Sequence, residues 1–163
     1  TEAVVPAEDH ARAEEPNMTM DDIITLASII EKEAKKDDFA KVSAVFHNRL
    51  KIDMTLGSDV TVQYFTGSQK MALTDSQTGQ DSPYNTYKNK GLPVGPICNP
   101  SKDAIRAALY PDDSFVQDEY LYFCSMNPNE GTLYFSKTLE EHNEAVRTYR
   151  PLWEEYDRER GVQ

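Results

Sequence analysis

The sequence predicts an α+β domain: a helical hairpin carrying two glutamates, long irregular loops, a β-hairpin or small antiparallel sheet, and a C-terminal helix. Three observations carry this. Two neighbouring segments, residues 20–36 and 38–52, repeat apolar residues at helical spacing across a very short connection. The run from Glu119 to Met126 is rich in Tyr and Phe and faces Thr132–Ser136 across Asn127-Pro128-Asn129-Glu130-Gly131, a turn-forming sequence. Between these regions, residues 53–99 are punctuated by Gly, Pro, Ser and Asp, and only Val60–Phe65 is clearly apolar.

Residues 1–19 are acidic and Ala-rich and read as a tail or linker, leaving 20–163 as the folded unit. Thr19 followed by Asp22 has the pattern of a capping box opening the first helix, and lysines in its last turn suit the macrodipole. At about 100° per residue, Ile23, Leu26, Ala27, Ile30 and Ala34 form the middle of its apolar stripe, with Ile24 and Ile29 at the edges. Glu31 falls between Ala27 and Ile24, and Glu33 between Leu26 and Ile29, while Ser28, Lys32, Lys35 and Lys36 take the wet side. A surface helix normally keeps charge off this stripe, and burial favours the protonated form of a carboxyl group. Glu31 is therefore the candidate general acid. Two residues apart, the glutamates diverge by roughly 200° and cannot serve one bond together, so Glu33 is assigned to structural support, pairing with Arg49. The alternative is that both are helix-edge residues with salt-bridge partners.

The second helix starts after Asp37 or Asp38, with Phe39, Val42, Phe46 and Leu50 in register, and should meet the first with Glu31 near the seam. Asn48, Arg49, Ser58 and Asp59 bring an amide, a guanidinium, a hydroxyl and a carboxylate into a short span; alone, they fit an ion pair and a turn equally well. Tyr84-Asn85-Thr86-Tyr87 combines aromatic faces for sugar C–H groups with amide and hydroxyl groups for sugar hydroxyls, or simply packs a loop. The stiff Gly91-Leu92-Pro93-Val94-Gly95-Pro96 segment allows close backbone approach to a ligand, or forms a structural turn. Asn99 and Pro100 suit the cap and first position of a short helix ending at Tyr110-Pro111. Thr138 with Glu141 opens the last helix, which presents Leu139, His142, Val146 and Tyr149 and is expected to break at Pro151 before Trp153 and Tyr156.

Composition excludes several classes. With 163 residues and 39% hydrophobic content the chain reads as one domain with a real core. A formal charge of −11 argues against nucleic acid or an anionic membrane surface as the main partner. Cys98 and Cys124 are too few for a disulfide framework, and His10, His47 and His142 are scattered, so no metal site is expected. No stretch reaches transmembrane length and the N-terminus lacks a basic-then-apolar leader pattern, so the chain reads as a soluble fragment.

Seven blocks in order sharpen the reading: residues 26–34, Val45–Leu50, Ser58-Asp59, Tyr84–Tyr87, Gly91–Ile97, Leu121–Phe123 and Phe135–Asn143. Together they resemble the YceG-like, MltG-type endolytic murein transglycosylases over about residues 20–150. The resemblance implies cleavage within peptidoglycan strands between N-acetylmuramic acid and N-acetylglucosamine, with the first glutamate of Glu31-Lys32-Glu33 as acid/base and no cofactor. One carboxyl group then suffices: it protonates the glycosidic oxygen, then takes the proton of the muramic acid C6 hydroxyl as that oxygen closes on C1, giving a 1,6-anhydro end. Asn48, Arg49, Ser58, Asp59, Tyr84, Asn85, Thr86, Tyr87, Gly91, Pro93 and Gly95 are the candidates for gripping the strand and orienting the acid.

Gly57 and Val60 depart from the Gln and Pro that flank the Ser/Thr-Asp pair in the family. Relatives of this type carry an N-terminal membrane helix and a LysM-like module. The chain therefore reads as the catalytic domain of an envelope protein facing outward from the cytoplasmic membrane, with cell-wall synthesis proteins as further partners. The family has also borne an aminodeoxychorismate lyase label, but the chain has no Gly-rich cup for pyridoxal phosphate. The remaining alternative is a non-catalytic wall-binding or division-complex scaffold.

Overall fold

A computed structural model describes Arg12 and residues 17–162. Most of the expected tail, including His10, lies outside the described residues; within it, Arg12 donates from Nε to the carbonyl oxygen of Leu109 at 2.9 Å.

Helix α1 spans Met20–Glu33 and opens with the full capping box, Thr19 Oγ1 accepting from the Asp22 N–H while the Asp22 carboxylate accepts from the Thr19 N–H. It stops at Glu33 rather than Lys36, because Ala34 turns extended (φ −141°) and a short 3₁₀ turn, Lys36–Asp38, redirects the chain into α2, Phe39–Lys51. The buried faces of the two helices meet in the core through Ile23, Leu26, Ile30, Val42 and Phe46. A third helix, α5 (Lys102–Leu109), lies along α1 and completes this layer with Ala104, Ile105 and Ala108.

The stretch expected to be irregular holds two helices, α3 (Asp59–Thr66) and the single turn α4 (Asp75–Thr78). Helix α3 has only two turns, and with Thr61 and Val62 alone fully buried its apolar signal is too brief to separate from a strand or loop. Ser101, not Asn99, caps α5: its Oγ accepts from the Ala104 N–H at 3.2 Å. Helix α6 is Asp113–Gln117.

Strands β1 (Tyr122–Asn127) and β2 (Thr132–Ser136) pair antiparallel, with a register irregularity between Ser125 and Asn127. The strand starts later than Glu119, whose positive φ of 59° belongs to a turn. Because side chains alternate along a strand, Phe123, Leu133 and Phe135 pack on the α1–α2 layer, whereas Cys124 and Tyr134 face helix α7 (Leu139–Glu159) in a second cluster with Ala145 and Trp153. The hairpin is thus covered on both faces.

Helix α7 runs unbroken through Pro151, contrary to the expected break. Pro151 is exposed, so the carbonyl deprived of its helical partner can turn to water. The following turns are tied down independently: Trp153 donates to Ser125 O at 3.0 Å, and the buried Asp157 carboxylate accepts the N–H groups of Met71 (2.8 Å) and Ala72 (3.0 Å). Among the described residues, no helix is long and apolar enough to cross a membrane.

Candidate functional site

The C-terminal end of α1 and the N-terminal end of α3 bring two carboxyl groups together. Glu33 is the last residue of α1 and Asp59 the first of α3, and the residue before Asp59, Ser58, donates its hydroxyl to Glu33 Oε2 at 2.9 Å. Asp59 in turn accepts a short hydrogen bond from the Tyr87 hydroxyl. The same four residue types were legible in the sequence; their convergence was not.

Local structure explains why Tyr87 reaches Asp59. The loop that carries it is bolted to the start of α3: Gly57 N donates to Thr86 O at 3.0 Å, Ser58 N to Thr86 Oγ1 at 2.8 Å, and the Thr61 and Thr86 hydroxyls are 2.9 Å apart. Buried Asn85 uses its amide hydrogens on the carbonyls of Thr78 (2.8 Å) and Gln80 (2.7 Å), and its carbonyl oxygen accepts the Tyr87 N–H at 2.9 Å. Asn85 and Thr86 are therefore committed to the loop, while Tyr87 stays 40% exposed and free to meet a ligand on its open side. Gly57 has φ +54°, and a Cβ there would come within 3.3 Å of Arg49 Nη1 and 3.6 Å of the Tyr87 ring. Gly57 is thus where guanidinium and aromatic ring close in.

Arg49 is buried, but its guanidinium is engaged with backbone rather than paired with Glu33 as expected: Nε donates to Leu121 O at 2.6 Å and Nη1 to Leu56 O at 2.5 Å. Its charge lies over the Tyr122 ring at 5.2 Å and reaches Glu33 only through space. Asn48 is likewise spent, donating to Phe115 O (3.1 Å) and Tyr120 O (2.9 Å). Tyr84 is half-buried against the core, its ring 4.9 Å from that of Tyr64, and Gly95 passes its hydroxyl at 3.8 Å from an added Cβ. Gly91 needs its positive φ of 80°; between Pro93 and Gly95, Val94 projects into solvent.

The two glutamates occupy the opposite settings from those expected. Glu31 does not face the α1–α2 seam: its Oε1 accepts the Ser101 N–H at 2.7 Å, placing the carboxylate at the N-terminal end of α5, where negative charge is favoured. It is Glu33 that burial affects. Desolvation first, and the Asp59 charge second, push its pKa from 4.5 up to about 8; the Ser58 hydroxyl and the Arg49 charge offset only part of this. The helix wheel misjudged the pair because it assumed that α1 continues to Lys36. With the helix ending at Glu33, the side chain projects from the helix end into the space between α1 and α3, and the wheel no longer describes its surroundings.

Asp59 is also raised, mainly by burial, but the Tyr87 hydroxyl and the Arg150 charge from α7 favour its ionised form. The helix ends act in the same sense, since Asp59 sits at the positive end of α3 and Glu33 at the negative end of α1. Burial thus raises both carboxyl groups, and the groups that favour the charged form are the Ser58 hydroxyl and Arg49 at Glu33 and the Tyr87 hydroxyl and Arg150 at Asp59. On the far side of Arg49, whose guanidinium lies over the Tyr122 ring, His142 on α7 stacks on Tyr122 with ring centroids 5.0 Å apart, and burial and Arg49 lower its pKa. Arg150, Tyr122 and His142 were not singled out from sequence for this site. Tyr122 and His142 fall within the blocks 121–123 and 135–143, but nothing in those blocks ties them to Glu33, and Arg150 lies in none of the blocks. Among the described residues no group of His, Cys, Asp and Glu could hold a metal ion.

The sequence profile of the YceG-like family matches residues 1–148. A protein of Bacillus subtilis (strain 168) named endolytic murein transglycosylase is 45% identical over 128 residues, covering 78% of this chain and 34% of that protein. A protein of the same name from Streptococcus pneumoniae serotype 2 is 38% identical over 136 residues, covering 80% of this chain and 24% of its own length. The 2.6 Å crystal structure of a yceG-like protein from Listeria monocytogenes superposes with a TM-score of 0.71 at 45% identity, over 85% of this chain and 43% of that one. The chain thus spans about a quarter to a third of the length of these two curated relatives. The profile match over most of the residues, and the shared fold at high identity, establish that the chain belongs to the YceG-like family.

Proposed function

We propose that this chain is the catalytic part of an endolytic peptidoglycan transglycosylase, cleaving the bond between N-acetylmuramic acid and N-acetylglucosamine within glycan strands, with Glu33 rather than Glu31 as the acid/base. The observation that carries the reading is the convergence at one place of Glu33, whose proton affinity desolvation pushes up to about 8, Ser58, which donates to it, and the Asp59–Tyr87 pair on the adjoining helix and loop. The names of the relatives from B. subtilis and S. pneumoniae support the substrate class. A wall-binding scaffold would gain nothing from such a carboxyl group.

In the proposed reaction, Glu33 gives its proton to the glycosidic oxygen as the bond from that oxygen to C1 of the muramic acid breaks. The C6 oxygen of the same sugar then bonds to C1, and its proton passes to the Glu33 carboxylate, which restores the acid. No water is consumed. Tyr87, exposed beside the two carboxyl groups, and Tyr84 with its neighbour Tyr64 offer aromatic faces to the sugar rings. Arg49, Asn48, Asn85 and Thr86 act by holding the segments around the two carboxyl groups. In the cell the site would work at the wall face of the cytoplasmic membrane, alongside cell-wall synthesis proteins.

The product decides. Digestion of glycan strands in heavy-oxygen water should leave the new muramic ends unlabelled and lighter than hydrolytic ends by one water, roughly 18 mass units. Glu33→Gln should abolish their formation in a folded protein, and Glu31→Gln should not. Label at the new ends would mean hydrolysis, with Asp59 as the water-activating carboxylate, and retained activity in Glu33→Gln would overturn the assignment.

A further inference from the structure

Asp59 has no place in a one-carboxyl mechanism, yet the fold goes to some length to hold it. It is fixed at the first position of α3, Tyr87 donates to it, and Tyr87 is aimed there by the hydrogen bonds of Asn85 and Thr86. Ser58, the preceding residue, bridges to Glu33. A buried anion beside a second carboxyl group makes ionisation of the second costly.

Taking Glu33 as the acid, we propose that Asp59 and Tyr87 form a positioning pair: the Tyr87 hydroxyl holds Asp59 as the anion, and that anion keeps the catalytic proton on Glu33. The charged groups around the pair fit this division. Glu33 faces Asp59 from α3, Arg49 from α2 and Ser58 as its donor. Burial raises Asp59 as well; acting against it are the Tyr87 hydroxyl from the loop and the Arg150 charge from α7, both of which favour its charged form. Arg49 favours charge on Glu33, but its N–H groups are tied to Leu121 and Leu56, so it cannot move in to form a direct ion pair. The asymmetry therefore lies with Asp59. The burial of Glu33 raises its pKa, and the Asp59 charge raises it further.

Two variants test the pair. Asp59→Asn removes the anion; Tyr87→Phe keeps the ring and removes the hydrogen bond that favours the anion. The Glu33 carboxyl carbon is followed by NMR in protein labelled with ¹³C-glutamate, its signal assigned by its absence in Glu33→Gln, and the pH profile of kcat/KM on glycan strands is measured in parallel. The midpoint of the Glu33 titration should fall by about one pH unit or more in Asp59→Asn, and by less in Tyr87→Phe, with the basic limb of the profile following. Loss of rate in both variants with an unmoved Glu33 titration would overturn the proposal and reduce Asp59 and Tyr87 to scaffolding. Should Asp59→Asn fail to fold, Tyr87→Phe decides alone. A Glu33 titration that falls while Glu33→Gln remains active would uphold the coupling of the two carboxyl groups and refute Glu33 as the acid, so the two readings fail separately.

Discussion

Replacing Glu33 by Gln should stabilise the protein, and by an amount that depends on pH. In the unfolded chain the carboxyl group titrates near 4.5, whereas in the folded state burial and Asp59 hold the proton to about 8. A folded-state pKa raised above the unfolded one means that folding binds a proton between these values. The associated stability is full below about pH 4.5 and is lost progressively as pH rises to about 8. At roughly 1.4 kcal/mol per pH unit, the loss amounts to about 3 kcal/mol at pH 7 and approaches ~5 kcal/mol above pH 8. Glutamine matches the protonated form in shape and can still accept the Ser58 hydroxyl, so it escapes this loss. Urea unfolding of wild type and Glu33→Gln at several pH values from 4 to 8.5 is the assay. The two should be close at pH 4, and the variant should be more stable by several kcal/mol at pH 8. A difference that does not change with pH, or the same pH slope in Glu31→Gln, would refute the placement of Glu33 and the stability–activity trade-off it implies.

Arg49→Lys should lose about 2–4 kcal/mol in the same unfolding assay, because an ammonium group cannot reach the Leu121 and Leu56 carbonyls together and leaves buried acceptors unpaired. If the loss is within a few tenths of a kcal/mol, the guanidinium is not the clamp described. Pro151→Ala should raise stability by about 1 kcal/mol or more by restoring a helical hydrogen bond in the middle of α7, measured as a rise in Tm; a fall would show that the proline stabilises this helix.

The sequence by itself determined the elements whose signals are local. The Thr19–Asp22 and Thr138–Glu141 capping boxes start their helices where expected, since a cap involves residues only three apart. The α1–α2 pairing followed from apolar periodicity, and the β-hairpin from two aromatic-rich runs across a turn-forming sequence, signals that are also local. Glu33, Ser58, Asp59 and Tyr87 were each singled out in the sequence, Glu33 only as structural support, and the structure brings them together. What only the tertiary structure decided was their surroundings. Glu31 and Glu33 sit on opposite flanks of the same apolar stripe, and only the early end of α1, with the cap of α5 meeting one residue and the cap of α3 the other, separates a carboxylate at a helix N-terminus from a desolvated carboxyl group. Arg49 and Asn48 looked like ligand groups and turned out to hold backbone carbonyls more than five residues away in sequence. Pro151 obeys no local rule here, because Trp153 and Asp157 are secured by partners on other elements. The physical reason is the same in each case: a carboxyl group's proton affinity and a donor's partner are set by what surrounds the group in space, and that environment is assembled from segments that the linear pattern does not connect.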